Sequence, residues 1–260
     1  MESLKTFLKV LARSRSLTFT RNYSSQQDNR EAQYKWKGHE IFYRIGTSDA
    51  REIYKILLKS GRKSEYAFPK EFGALERPVT VILDIGANIG ISTLYLAALF
   101  PNARLFAFEP DPDNFQLLIK NTQALERVTC MPYALGQLNS EVKLYDSVNP
   151  NNYSGFSLYE EGRDIANWKK VQCRHAGAVM KELGLFMVDF IKIDTEGAEW
   201  EILTSIGDEF ISSTKLIMGE LHGRRDFALL DYLQPWFHIG LRKNITNRLF
   251  IFYALNRLVA

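Results

Sequence analysis

Two cysteines among 260 residues, Cys130 and Cys173, make no disulfide framework and no metal-ligand spacing. Both read as reduced, buried thiols. No apolar run approaches the roughly 18 residues needed to cross a bilayer, so no transmembrane segment is expected. Charge of either sign is nearly absent in the balance: 33 Lys and Arg against 30 Asp and Glu leave +3. A sum that small argues neither for nor against nucleic acid, because patches matter more than totals. Internal repeats and low-complexity tracts are also lacking. What remains is 46% hydrophobic and 24% charged, the make-up of one α/β domain with extensions and a large core.

Acids are scarcest at the N-terminus, where Glu2 is the only one before Asp28. Lys5, Lys9, Arg13, Arg15 and Arg21 alternate there with Leu4, Phe7, Leu8 and Leu11, and serines and threonines follow. An organellar transit peptide has this composition; so does a short basic helix with a frayed tail in a cytoplasmic protein. A cytoplasmic location is the expectation, with a mitochondrion or other organelle the alternative. Residues 1–33 are expected to be a weakly ordered leader. Residues 34–77 read as a cover or lid, with a two-stranded start ending at Gly46 and a helix from Ala50 to Lys59 that Gly61 stops. An aromatic loop of Glu65, Tyr66, Phe68 and Pro69 follows.

Residues 78–260 form the main domain. Strands are expected at 79–84, 104–109, 128–134, 188–193 and 215–222, with helices at 91–99, 113–124, 176–183 and 226–236. Closing strands at 238–242 and 249–254 are joined by Lys243, Asn244, Ile245, Thr246 and Asn247. Alternation of this kind implies a parallel sheet with right-handed crossovers. Residues 141–146 form an added strand or hairpin. Residues 149–168 form a long loop in which asparagines alternate with Tyr153, Phe156, Tyr159 and Trp168, a pattern that suits a carbohydrate surface and equally a solvated loop.

The turn Asp84-Ile85-Gly86-Ala87-Asn88-Ile89-Gly90 follows the first strand, where such folds bind ligands. The third glycine of a dinucleotide fingerprint is missing. Asp84 at the strand end would repel a pyrophosphate and attract an ammonium and a sulfonium, which favours the amino-acid end of S-adenosylmethionine over NAD. Glu109, at the end of the second strand, can accept hydrogen bonds from a ribose.

Three ordered runs, Leu-Asp-Ile-Gly-Ala-Asn-Ile-Gly, Ala-Phe-Glu-Pro-Asp-Pro and Ile-Lys-Ile-Asp-Thr-Glu-Gly-Ala-Glu, resemble the FkbM family of S-adenosylmethionine-dependent methyltransferases over about residues 40–255. The resemblance implies a class I methyltransferase fold, Rossmann-like, with a seven-stranded, mostly parallel sheet and helices on both faces. It implies O-methylation of a hydroxyl on a sugar, glycan or secondary metabolite. Cofactor-binding roles carry over to Asp84, Gly86, Asn88, Gly90 and Glu109, with Ala134 near the adenine.

In-line methyl transfer needs donor and acceptor held together, and an alcohol needs help losing its proton. Asp194, Glu196, Glu220 and His222 are the acceptor-side candidates. Glu199 either joins them or complements the dipole of its helix. Glu220 and His222 share a strand face and can pair with each other. Lys192 shares a strand face with Asp194 and can hold it ionised or pair structurally. Nothing in the spacing demands a metal, although such a cluster could hold a divalent cation. The partners expected are a small-molecule or glycan hydroxyl acceptor and no nucleic acid, since the fourth strand ends Asp-Thr-Glu-Gly rather than in an Asn-Pro-Pro-Tyr signature. A cofactor-binding or assembly factor of the same fold, without catalysis, is the alternative.

Overall fold

The structure is a computed structural model that describes residues 4–25, 28, 30–59, 64–69, 72, 78–149, 151–160, 162–244 and 249–258. Its first elements are two helices, α1 (Leu4–Ser14) and α2 (Leu17–Tyr23). Residues 4–23 of the stretch expected to be a leader pack as helices on the cover, because their apolar residues have somewhere to go. Val10 and Phe19 are fully buried, and the Phe19 ring lies 4.5 Å from Tyr34 and 5.6 Å from Tyr43. Ser16 caps α2 by accepting from the Phe19 amide at 3.1 Å.

Strands β1 (Glu31–Trp36) and β2 (His39–Arg44) form an antiparallel hairpin with Trp36 opposite His39. The tight turn between them puts Lys37 and Gly38 at positive φ, as a two-residue hairpin loop requires. After α3 (Asp49–Glu52) the expected α-helix gives way to a π-helical turn over Ile53–Leu58, in which the Lys59 amide reaches the Tyr54 carbonyl. The wider turn buries Ile53, Tyr54 and Ile56 together. The stop expected at Gly61, the end of the cover at residue 77 and the link over Ile245, Thr246 and Asn247 lie outside the described residues.

The main domain then runs through β3 (Val81–Ile85), α4 (Ile91–Leu99), β4 (Arg104–Phe108), α5 (Pro112–Thr122) and β5 (Val128–Met131). The expected third strand ends early, and Ala134–Gly136 forms β6 in a separate three-stranded sheet with β7 (Ser140–Ser147) and β8 (Arg163–His175). The long loop is therefore shorter than expected, since residues from 163 onward pair with β7. Next come α6 (Ala176–Glu182), β9 (Phe190–Ile193), α7 (Glu199–Ile206), α8 (Asp208–Ser213), β10 (Leu216–Leu221), α9 (Asp226–Leu233), β11 (Phe237–Asn244) and β12 (Leu249–Asn256).

Seven strands form the main sheet in the order β11-β12-β10-β9-β3-β4-β5. The five from β10 to β5 are parallel, and β12 runs antiparallel to β10 and β11. Alternation along β3 sends Ile82 into one buried cluster, shared with the cover, and Leu83 and Ile85 into the cluster on the opposite face. Buried Asn121 of α5 fastens the cover to the sheet: its Oδ1 accepts from the Phe42 amide at 2.7 Å and its Nδ2 donates to the carbonyls of Phe42 and Ile89. The carboxyl ends of β3, β4 and β9 meet beneath this cover. Among the described residues no helix is long and apolar enough to cross a membrane.

Candidate active site

A cavity opens at those strand ends. Its floor is the glycine turn. Gly86 has φ +80°, and a Cβ there would lie 1.9 Å from the Asp194 carbonyl oxygen, so only glycine lets β3 and β9 close together. Asn88, also at positive φ, donates its amide to Glu109 Oε2 at 2.7 Å. Its own Oδ1 is buried and has no hydrogen-bond partner. Glu109 accepts a second amide, from Asp111, at 2.8 Å. Burial pushes its carboxyl up to about 7 in spite of these bonds. Gly86, Asn88, Glu109 and Ala134 all line the cavity, as their sequence positions predict.

Asp84 and Gly90 do not. Asp84 is fully buried behind the turn, where its Oδ2 accepts from Ser92 Oγ at 2.8 Å and Thr93 Oγ1 at 2.7 Å. Lys192 Nζ lies 3.2 Å from its Oδ1 and donates to the Gly86 carbonyl at 2.6 Å. The carboxylate expected to face a ligand cation is thus paired with an internal cation and stands behind the turn, off the cavity wall. Lys192 pairs with Asp84 rather than holding Asp194. Gly90 begins α4 at φ +87°, with Leu118 of α5 packed against it.

On the opposite wall stands the acid cluster. Asp194 follows β9 directly, and its Oδ2 accepts from the buried Tyr66 hydroxyl at 3.2 Å. Asp194 and Glu196 also line a second cleft, which continues toward the cover past Glu220 and the asparagines of the 149–152 loop. Glu196, at positive φ, is held by Arg163 at 2.7 Å. His222 lies just past β10. Its Nδ1 is 3.0 Å from Glu199 Oε1, and its Nε2 faces Asp194, Glu196 and Glu220 at 3.5, 3.6 and 3.7 Å. Burial would lower the imidazole, but the Glu199 hydrogen bond and the acids around it push it up to about 10. Burial and the Asp194 and Glu65 charges raise the Glu220 carboxyl.

The four acceptor-side residues expected from the sequence are therefore brought together. Glu199 does two jobs at once: it accepts the Thr195 and Gly197 amides ahead of α7 and orients His222. Tyr66 and Glu65 belong to the same constellation and were not singled out from the sequence, where only the aromatic character of their loop is visible. Tyr153 and Phe156 close the cavity from the 149–162 loop. That loop is tied to the cover through Ser48, whose amide donates to the Asn151 carbonyl at 2.8 Å, and Arg44 lies 4.0 Å over the Tyr153 ring.

Residues 84–251 match the model of the Methyltransferase FkbM domain. The chain is 30% identical over 158 residues to the 2-O-methyltransferase NoeI of Sinorhizobium fredii, covering 56% of this chain and 65% of that protein. It is 26% identical over 208 residues to the AMB antimetabolite synthetase AmbE of Pseudomonas aeruginosa, across 64% of this chain and 10% of the synthetase. It is 26% identical over 147 residues to the hexuronic acid methyltransferase AglP of Haloferax volcanii, across 56% and 57%. The chain thus spans a tenth of the synthetase's length and less than two thirds of either methyltransferase.

Proposed function

The chain belongs to the FkbM methyltransferase family, and from that premise we propose that it is an S-adenosylmethionine-dependent O-methyltransferase acting on a hydroxyl of a sugar, glycan or related metabolite. The observation that carries this reading is the position of Asp194, which lines both the cavity over the glycine turn and the adjoining cleft. A base there reaches the boundary between a donor and an acceptor.

The donor cavity suits the cofactor. Glu109 offers a buried carboxylate to ribose hydroxyls, and the unpaired Asn88 Oδ1 lacks a donor that a ligand can bring. When bound, S-adenosylmethionine supplies an electrophilic methyl group whose sulfur leaves as a neutral thioether. Asp194 takes the proton of the attacking hydroxyl while Tyr66 steadies its other oxygen. Glu196, anchored by Arg163, borders the acceptor. Tyr153, Phe156 and the cover keep water from the methyl group. The amides of Asn149, Asn151 and Asn152 line the cleft and suit a polyhydroxylated acceptor, in a lining where the cations Arg51, Lys55 and Lys59 face the acids Glu52, Glu65, Asp194, Glu196 and Glu220. The names of two relatives, a 2-O-methyltransferase and a hexuronic acid methyltransferase, support the same class of acceptor.

Isothermal titration tests the donor half. S-adenosylmethionine should bind at one site, and Glu109→Ala should weaken it by about 10- to 100-fold through lost charged hydrogen bonds. No saturable binding to the wild-type chain would sink the reading. Asp194→Asn should keep cofactor affinity and lose about 100-fold or more in turnover. Normal turnover in that variant would move the base elsewhere.

A further inference from the structure

We propose that Asp194, Glu220 and His222 form a binding site for one divalent cation of the Mg2+ or Mn2+ class on the acceptor side of the cavity. This deepens the proposed function and rests on it for what the ion does, though not for whether the ion binds.

One ligand atom from each residue lies within 4.8 Å of the other two. Acids crowded together do not make a site, and the second observation is the imidazole. Glu199 Oε1 already accepts the Thr195 and Gly197 amides, so the ring nitrogen 3.0 Å from it, Nδ1, is a donor. The acids around the ring favour its protonated form, in which Nε2 also carries a hydrogen. A cation takes that proton's place, and because Nδ1 stays with Glu199 it is the Nε2 lone pair that then faces the acids. Nε2 is buried in a side chain only 7% exposed and has no hydrogen-bond partner. Its distances to Asp194 Oδ1 and Glu220 Oε2, 3.5 and 3.7 Å, are too long for hydrogen bonds. They are close to the spacing of atoms that share one ion at about 2.0–2.6 Å. A carboxylate behind a ligating imidazole is the usual support of a metal site, and the Tyr66 hydroxyl on Asp194 Oδ2 supports the second ligand while leaving Oδ1 free.

Two carboxylates and one imidazole admit Mn2+ and Mg2+ better than soft ions. Asp194 borders both cavities, so water or an acceptor hydroxyl has access to the remaining coordination positions. There the ion offsets the negative charge that grows on the acceptor oxygen. The hydroxyl proton would still pass to Asp194, at the oxygen that does not hold the ion, as the new carbon–oxygen bond replaces the carbon–sulfur bond.

The test is a titration of the chelator-treated full chain with Mn2+, followed by the loss of the free-ion electron paramagnetic resonance signal, with Mg2+ as competitor. One Mn2+ per chain is expected, displaced by Mg2+, with affinity at least about tenfold lower in His222→Gln and in Glu220→Gln. Circular dichroism verifies folding, so that either variant decides if the other fails to fold. The same samples are titrated with S-adenosylmethionine. No saturable Mn2+ in a wild-type chain that binds S-adenosylmethionine overturns the site and leaves methyl transfer standing, with His222 a charge partner only. Equal Mn2+ affinity in wild type and both variants overturns it too. Mn2+ binding lost in the variants supports the site even where S-adenosylmethionine fails to bind, an outcome that counts against the methyl-transfer reading alone.

Discussion

Asp84 and Lys192 sit back to back beneath the glycine turn, both buried and 3.2 Å apart. Removing one charge strands the other, so Asp84→Asn should cost about 3–5 kcal/mol, read as a lower urea midpoint with unchanged slope. An unchanged midpoint would mean that the pair carries no net stability. Glu109 makes a second prediction at this scale. Its carboxyl is raised from 4.5 to about 7, so the folded chain holds a proton that the unfolded chain has released between those values. The stability this contributes is present below about 4.5 and is lost as pH rises through about 7. Ribose hydroxyls prefer the ionised form, so affinity for S-adenosylmethionine should rise about tenfold from pH 6 to pH 8. Calorimetry should find that slope flattened in Glu109→Gln, and an equal slope there would assign the titration to another group. Gly86, Asn88 and Glu109 were legible in the sequence because strand–turn–helix geometry dictates their places. The partner of Asp84 was not: Lys192 lies on another strand, and only the parallel register of β3 with β9 sets the two residues side by side.

At the scale of elements, the helices α1 and α2 test how far a composition can mislead. Basic, serine-rich and poor in acids, the stretch reads as a loose leader, yet Phe19 inserts between Tyr34 and Tyr43. Phe19→Ala should cost about 3–5 kcal/mol in unfolding experiments; a loss under about 1 kcal/mol would restore the picture of a loosely attached leader. Amphipathic spacing was visible, but the aromatic surface it covers belongs to the hairpin. The main strands were legible from their apolar runs to within a few residues. β8 was not, since residues 166–170 are mostly exposed and alternate only weakly. The π-helical turn over Ile53–Leu58 was hidden for a related reason: burial of consecutive apolar residues selects it, and the periodicity of the sequence resembles that of an α-helix.

For the whole molecule, the parallel sheet gathers the ends of β3, β4 and β9 into one cavity, and the cover adds Tyr66 and the cleft that Asp194 shares. The acid cluster was legible as a set because each member lies at or just past the carboxyl end of a strand. Its division of labour was not, because the hydrogen bond between His222 and Glu199 joins residues from different βα units. The cavity over the glycine turn and the adjoining cleft share the carboxylates Glu52, Asp194 and Glu196, and that junction is what makes methyl transfer the central claim. The most direct test is to incubate the chain with S-adenosylmethionine labelled in its methyl group and oligosaccharides that contain hexuronic acid, then read the products by mass spectrometry. The labelled methyl should appear on a hydroxyl oxygen with the wild-type chain and be absent with Asp194→Asn. Saturable cofactor binding without transfer to any hydroxyl acceptor would contradict it and leave a cofactor-binding factor without catalysis.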